Sequence, residues 1–194
     1  SLCYKKHSMS KKDTSVLNPK NLNSKNKISL IYSNFKSQLN TFIKKKPFLV
    51  AVSGGPDSLA LSALSKAYSK EKGNKVFYVL VNHGLRTNSA KEAFAVKNLL
   101  KKRGLILRIL KNKKKINKNI QSEAREIRYK LLLNYCNKHK IKFIMTGHHR
   151  DDQIETFLIR LSRGSGIQGL SSMSRITRLN NETKLFRPLL NEKK

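Results

Sequence analysis

Acidic side chains are scarce in this chain: 11 Asp and Glu stand against 42 Lys and Arg in 194 residues, for a formal net charge of +31. Such an excess repels itself in the compact state and points to a polyanionic partner, nucleic acid first. The alternative is compositional drift toward Lys, Asn and Ile with no ligand behind it. Cysteine is nearly absent as well. Cys3 and Cys136 form neither a CxxC pair nor a disulfide framework, so a reducing compartment is expected. That means the cytoplasm, or the interior of a mitochondrion or plastid if the chain is organelle-encoded or imported. No apolar run approaches the length of a membrane span, and residues 1–10 lack the apolar core of a secretory signal. No arginine precedes Arg86, which gives little support to a transit peptide. Finally, no lysine lies between Lys46 and Lys66, which excludes a Walker phosphate loop from the one glycine-rich turn that follows a buried strand.

At this length one domain with a proper core is expected, preceded by a tail. Residues 1–27 are Lys, Ser and Asn with little periodicity and read as a flexible basic tail. Residues 28–194 read as the folded domain. Ile28, Ile31, Tyr32, Phe35, Leu39, Phe42 and Ile43 recur at helical spacing. Apolar runs at 48–52, 76–81, 105–110 and 141–145 have strand length, and each precedes a helical pattern. The first helix is expected to bury Ala60, Ala63, Leu64, Ala67 and Tyr68, and the second Ala93, Val96 and Leu100 behind a capping box of Ser89 and Glu92. The third shows Ile120, Ala124, Ile127 and Leu131, and the fourth Ile154, Phe157, Leu158 and Leu161. Alternating strands and helices with right-handed crossovers predict an α/β fold, a doubly wound parallel sheet with helices on both faces.

Ligands of such sheets bind beyond the carboxyl ends of the strands, and the unusual residues fall there. Ser53, Gly54, Gly55, Pro56, Asp57 and Ser58 follow the first strand. Two glycines allow a sharp turn and close approach, the helix behind offers unpaired N–H groups, and both serines add hydroxyl donors: together, a phosphate cradle. Asp57 beside an anion makes sense if a divalent cation bridges it to phosphate oxygens; a turn with a capping Asp is the plainer reading. Asn82, His83 and Arg86 follow the second strand, a basic segment at 111–118 the third, and His148, His149, Asp151 and Asp152 the fourth. Asp151 reads as a helix N-cap, leaving Asp152 and Glu155 on one face, where they could hold Mg²⁺, act as a base or bind an ammonium group. Arg125 and Arg128 share a face beside Glu123 and Glu126, an arrangement that also suits a solvated ion-pair ladder. A glycine-rich loop at 163–170 reads as a flap or as a simple turn.

The hexapeptide SGGPDS matches the PP-loop signature. With VNHGLR, EAREIRYKLL, TGHHRDDQIETFLIRLSRGSGIQGLSSM and LFRPLL, the chain closely resembles the tRNA(Ile)-lysidine synthetase family over roughly residues 48–190. The resemblance implies an adenine nucleotide alpha hydrolase-like fold and adenylation of the first anticodon cytidine by ATP, with lysine then displacing AMP. It places Ser53 to Ser58 on ATP, Asp57 near Mg²⁺, and Asp57, Arg128, Asp152 and Glu155 in catalytic roles, with His83, Arg86, His148 and His149 on the substrate rim. The implied partners are tRNA(Ile) with a CAU anticodon and free L-lysine, with no membrane and a homodimer as one option. Asn82 stands where the family usually has Asp, and the 111–120 segment lacks the tryptophan common there. The family's C-terminal tRNA-binding domains are not expected in this chain, which leaves the tail and the 111–118 lysines to supply phosphate contacts.

Overall fold

The computed structural model describes residues 19–85, 87–112, 120–162 and 173–192. The four expected strands form as β1 (Phe48–Ala51), β2 (Val76–Asn82), β3 (Leu107–Lys111) and β4 (Phe143–Met145). Two short ones follow, β5 (Ile176–Arg178) and β6 (Lys184–Phe186). Their spatial order is β3-β2-β1-β4-β6-β5. All are parallel except β5, an antiparallel edge beside β6. The helices are α1 (Pro19–Phe42), α2 (Pro56–Lys72), α3 (Ser89–Lys102), α4 (Ile120–Lys138) and α5 (Arg150–Ser162).

Side chains alternate across the sheet and supply two cores. Phe48, Val50, Leu80 and Met145 pack with Phe35 and Leu39 of α1, Leu61 and Tyr68 of α2 and Leu100 of α3. Leu49, Val79, Ile144 and Leu185 pack on the opposite face with Leu132 and Cys136 of α4. A sheet covered on both faces requires apolar residues at successive positions, which is why its strands read as unbroken apolar runs. Truncating a centre such as Ile144 to Ala would cost about 2–5 kcal/mol.

Several expectations need correction. On α2 the buried residues are Ser58, Leu61, Ser62, Ser65 and Tyr68, while Ala60, Ala63 and Ala67 are exposed. Hydropathy favoured the alanines, but Leu61 and Tyr68 set the buried face and bring Ser58, Ser62 and Ser65 in with them, and Ser62 Oγ bonds back to the Ser58 carbonyl at 2.7 Å. The capping box before α3 does not form. Asn88 is the N-cap, with φ −91° and ψ 0° and no side-chain cap bond, so Ser89 lies one position inside the helix. α1 begins at Pro19, so residues 19–27 are helical rather than tail. A proline opens a helix well, and extension from a packed segment needs no new nucleus. Ala124 is buried as expected, but Ile120, Ile154 and Leu158 are exposed, and α5 turns Gln153 inward instead.

Candidate active site

The chain runs from β1 outward through β2 to β3, then crosses to β4 on the other side of β1. Such a reversal opens a crevice between the carboxyl ends of β1 and β4. A cleft of about 430 Å³ lies there, within the usual range for small-molecule sites. Ser53, Gly55, Asp57 and Ser58 line it from the β1–α2 loop. Asn82 and His83 come from β2, Arg125, Arg128 and Tyr129 from α4, and Thr146, Gly147, His148 and Asp152 from the β4–α5 turn.

The β1–α2 loop is held from within by Ser58, which is almost fully buried. Its hydroxyl donates to the Gly55 carbonyl at 2.9 Å and accepts from the backbone N–H groups of Ser53 and Gly54, each at 3.2 Å. Ser58 thus organises the loop from within. Ser53 Oγ, on the exposed side, remains the hydroxyl able to turn to a ligand. Gly54 has φ 90°, and a Cβ there would lie 2.8 Å from Val96 Cγ2. A Cβ on Gly147 would lie 2.9 Å from the carbonyl carbon and oxygen of Asp57, so only glycine lets the β4 loop rest on the phosphate loop. Gly147 lies within the TGHHRDDQ segment, but its packing against the phosphate loop, a backbone proximity across 90 residues, leaves no local signal.

His149, 8 % exposed, is the N-cap of α5 in place of Asp151. Its Nδ1 accepts from the Asp151 N–H at 3.2 Å, while Asp152 Oδ2 accepts the His149 N–H at 2.7 Å. This is a capping box with a histidine in the serine position. With Nδ1 accepting, Nε2 carries the ring proton, 3.5 Å from Asp57 Oδ2 and 3.6 Å from Asp152 Oδ2. The buried ring thus ties Asp57 to the start of α5, and Asp151 is left exposed.

Across the cleft, Arg128 Nε donates to His83 Nε2 at 3.5 Å. Burial, then the Arg128 guanidinium, lowers the His83 pKa. The His148 pKa is also lowered, first by burial and then by Arg187, Arg125 and Arg128, against an upward pull from Asp152. His148 Nδ1 lies 2.8 Å from Thr146 Oγ1. Arg187, 5 % exposed, stands behind the cleft at the end of β6, its Nη1 donating to Ser174 O and Thr177 Oγ1. Arg125 and Arg128 form no ion pair with Glu123 or Glu126 among the described residues; both face the cleft, and the ladder reading falls. Glu155 is exposed one turn along α5 and does not line the cleft. Arg86, most of the 111–118 segment and the 163–170 loop lie outside the described residues.

Residues 25–194 match the PP-loop domain family. The chain belongs to that family. Among curated relatives of this PP-loop chain, the tRNA(Ile)-lysidine synthase of Wolbachia pipientis wMel is 47 % identical over 145 residues, covering 73 % of this chain and 33 % of the relative. The one from Bradyrhizobium diazoefficiens is 43 % identical over 157 residues, 79 % of this chain and 43 % of its own length. The chain thus spans about a third to two fifths of the curated relatives it matches. Two solved structures share the PP-loop fold. A U34-tRNA thiolase, NcsA of Methanococcus maripaludis with its [4Fe-4S] cluster, superposes with TM-score 0.66 at 20 % identity, over 86 % of this chain and 61 % of that one. An NH3-dependent NAD synthetase of Campylobacter jejuni gives 0.51 at 16 % identity, over 88 % and 68 %.

Proposed function

We propose that this PP-loop domain catalyses ATP-dependent formation of lysidine at the first anticodon cytidine of tRNA(Ile) with a CAU anticodon. The observation that carries the reading is the convergence of the Ser53–Ser58 loop, Arg128 and Asp152 on one cleft, in a chain 47 % identical to a tRNA(Ile)-lysidine synthase. The cytidine C2 carbonyl oxygen attacks the α-phosphorus of ATP, the bond to the β-phosphate bridge breaks, and pyrophosphate leaves. An amine of lysine then attacks C2, the C2–O bond breaks, AMP departs and the nitrogen loses a proton.

In this reading the N–H groups of Asp57 and Ser58 that open α2, with Ser53 Oγ, orient the phosphates at the positive end of the helix. Arg128 and Arg125 stabilise charge on the departing group from the α4 side. Asp152 receives the lysine ammonium, and Glu155, more exposed, guides its entry. Asp57 at the cleft wall would hold a Mg²⁺, which supplies neutralisation of phosphate charge when bound. Among the described residues no group of three or more His, Cys, Asp or Glu could hold a metal, so its remaining ligands would come from phosphate and water.

Sulfur transfer fits less well. Cys136 is buried in the α4 core and burial pushes its thiol up to about 12, out of reach of the cleft and of thiolate chemistry. No described helix is long and apolar enough to cross a membrane, and the reaction would take place wherever the tRNA is, in cytoplasm or organelle interior.

The test is to incubate the protein with ATP, labelled lysine and tRNA transcripts. Label in the CAU tRNA alone, with AMP and pyrophosphate as products, is expected. ADP and inorganic phosphate, or label in every transcript, would sink the proposal.

A further inference from the structure

The end of the sheet opposite the cleft presents a row of cations. In spatial order these are Arg103 before β3, Lys75 before β2, Lys46 before β1, Lys142 before β4, Lys184 opening β6 and Arg178 closing β5. All six are exposed. With strands about 4.8 Å apart, five steps make a row roughly 24 Å long. Glu71 and Glu182 are the acids at this end among the described residues, and Glu71 is held by Lys36 and Lys72.

Compensation of helix dipoles accounts for lysines in the last turns of α2, α3 and α4. It does not reach Lys46, Lys142, Lys184 or Arg178, which lie beyond those turns or in the strands. Nor does it explain the backbone. Lys44 and Lys140 adopt φ 55° and 54°, left-handed geometry, where Gly73 and Gly104 serve the equivalent connections after α2 and α3. Lysine stands at these two positions against the conformational preference. The row is also held in place: Asn74, 3 % exposed, donates to the Lys44 carbonyl at 2.7 Å and to that of Lys46 at 2.9 Å.

We propose that this lower rim is a second docking surface that grips the phosphate backbone of an RNA, remote from the cleft. Four lysine ammonium groups flanked by two arginines in a row of one sign suit phosphates, whereas the centres of protein–protein interfaces are depleted in lysine. Such contacts position an RNA without reading its sequence. The inference deepens the reading of the cleft by giving a tRNA another point of attachment. The binding itself holds whatever reaction the cleft performs.

The experiment measures tRNA-transcript binding by fluorescence anisotropy over a salt series, using the full chain. A rim triple, Lys46→Gln, Lys142→Gln and Lys184→Gln, is compared with a triple of exposed helix lysines, Lys91→Gln, Lys97→Gln and Lys130→Gln. Three lost phosphate contacts should make the slope of log K against log salt shallower by about 2 for the rim triple, and much less for the other. ATP binding should be unchanged in both. A rim triple that keeps the wild-type slope, or a helix triple that loses as much, overturns the proposal. So does polyglutamate displacing tRNA from the wild type as strongly as unlabelled tRNA, which would reassign the rim to an acidic protein. If wild type leaves ATP uncleaved while the two slopes still differ, the rim stands and the reading of the cleft falls.

Discussion

Asp57, Glu92, Glu123, Asp151 and Asp152 stand in the first turns of α2, α3, α4 and α5, at the carboxyl end of the sheet, whereas Lys72, Lys102 and Lys138 close the last turns of α2, α3 and α4 at the other end. Helices that return the chain between parallel strands all run antiparallel to them and aim their N-termini at the same end, so dipole compensation alone would sort charge between the two ends. At the upper end that sorting collides with an anion site. Acids are placed where phosphate should sit, and Arg125, Arg128 and buried Arg187 offset them. At the lower end no such conflict exists, and the cations continue past the helices into loops and strands. One end is a mixed-charge cleft suited to chemistry; the other is a single-sign surface suited to adhesion.

The largest expected break in this contrast comes from Asp57. Asp57→Ala should lower AMP formation by at least about 100-fold, because a carboxylate that would hold the phosphate-neutralising cation is lost. With tRNA at saturating concentration the rim triple should leave AMP formation intact, as measured by chromatographic separation of the nucleotides. Equal losses in both would mean the two ends are not separable. Next is Gly147→Ala, whose Cβ would meet the Asp57 carbonyl at 2.9 Å. Overpacking there should cost about 1–3 kcal/mol in urea unfolding and weaken ATP binding with it. A Gly147→Ala protein with wild-type stability and affinity would show that the two loops are not tied.

How much of this was legible beforehand follows from the distances over which each feature is encoded. The four apolar runs of five or six residues that underlie β1 to β4, and the phosphate loop, are local patterns, and runs such as 48–52 followed by glycines announce themselves. β5 and β6 are three residues each, too short for a period, and they form because Leu185 and Phe186 bury against β4. Gly147 and the Asn74 clamp depend on what lies across the fold, which no window of sequence contains. Asp151 looked like the cap because aspartate is common there; the cap is His149, since only its buried ring reaches both Asp57 and the helix N–H. The alanines of α2 misled because hydropathy ranks Ala above Ser, whereas the buried face is set by Leu61 and Tyr68 and carries Ser58, Ser62 and Ser65 in with it.

A smaller effect should separate Asp152 from Glu155. Asp152 accepts the His149 N–H, and an amide oxygen can still do so, so Asp152→Asn should cost at most about 1 kcal/mol of stability while slowing lysine transfer more than pyrophosphate release. Glu155 is exposed, and Glu155→Gln should leave the melting temperature unchanged with a milder loss of transfer. A Glu155→Gln protein that melts well below wild type yet keeps its activity per folded molecule would make the residue structural.

The smallest expected effect is in the pH dependence of stability, and it belongs to the cleft alone. His83 and His148 both have pKa values lowered in the folded state, chiefly by burial and then by the cleft arginines, with Asp152 opposing the shift at His148. In the unfolded chain each returns to about 6.5. As pH falls below that value the unfolded state takes up protons that the folded state refuses, so stability drops between roughly pH 6.5 and the lower folded values. Above pH 7 both states are neutral at these positions and the contribution is flat. Urea midpoints at pH 7.5, 6.5 and 5.5 should therefore decline for wild type and for the rim triple alike, and decline less for His83→Gln with His148→Gln. A double variant that loses stability toward acid as steeply as wild type would place the titrating groups outside the cleft.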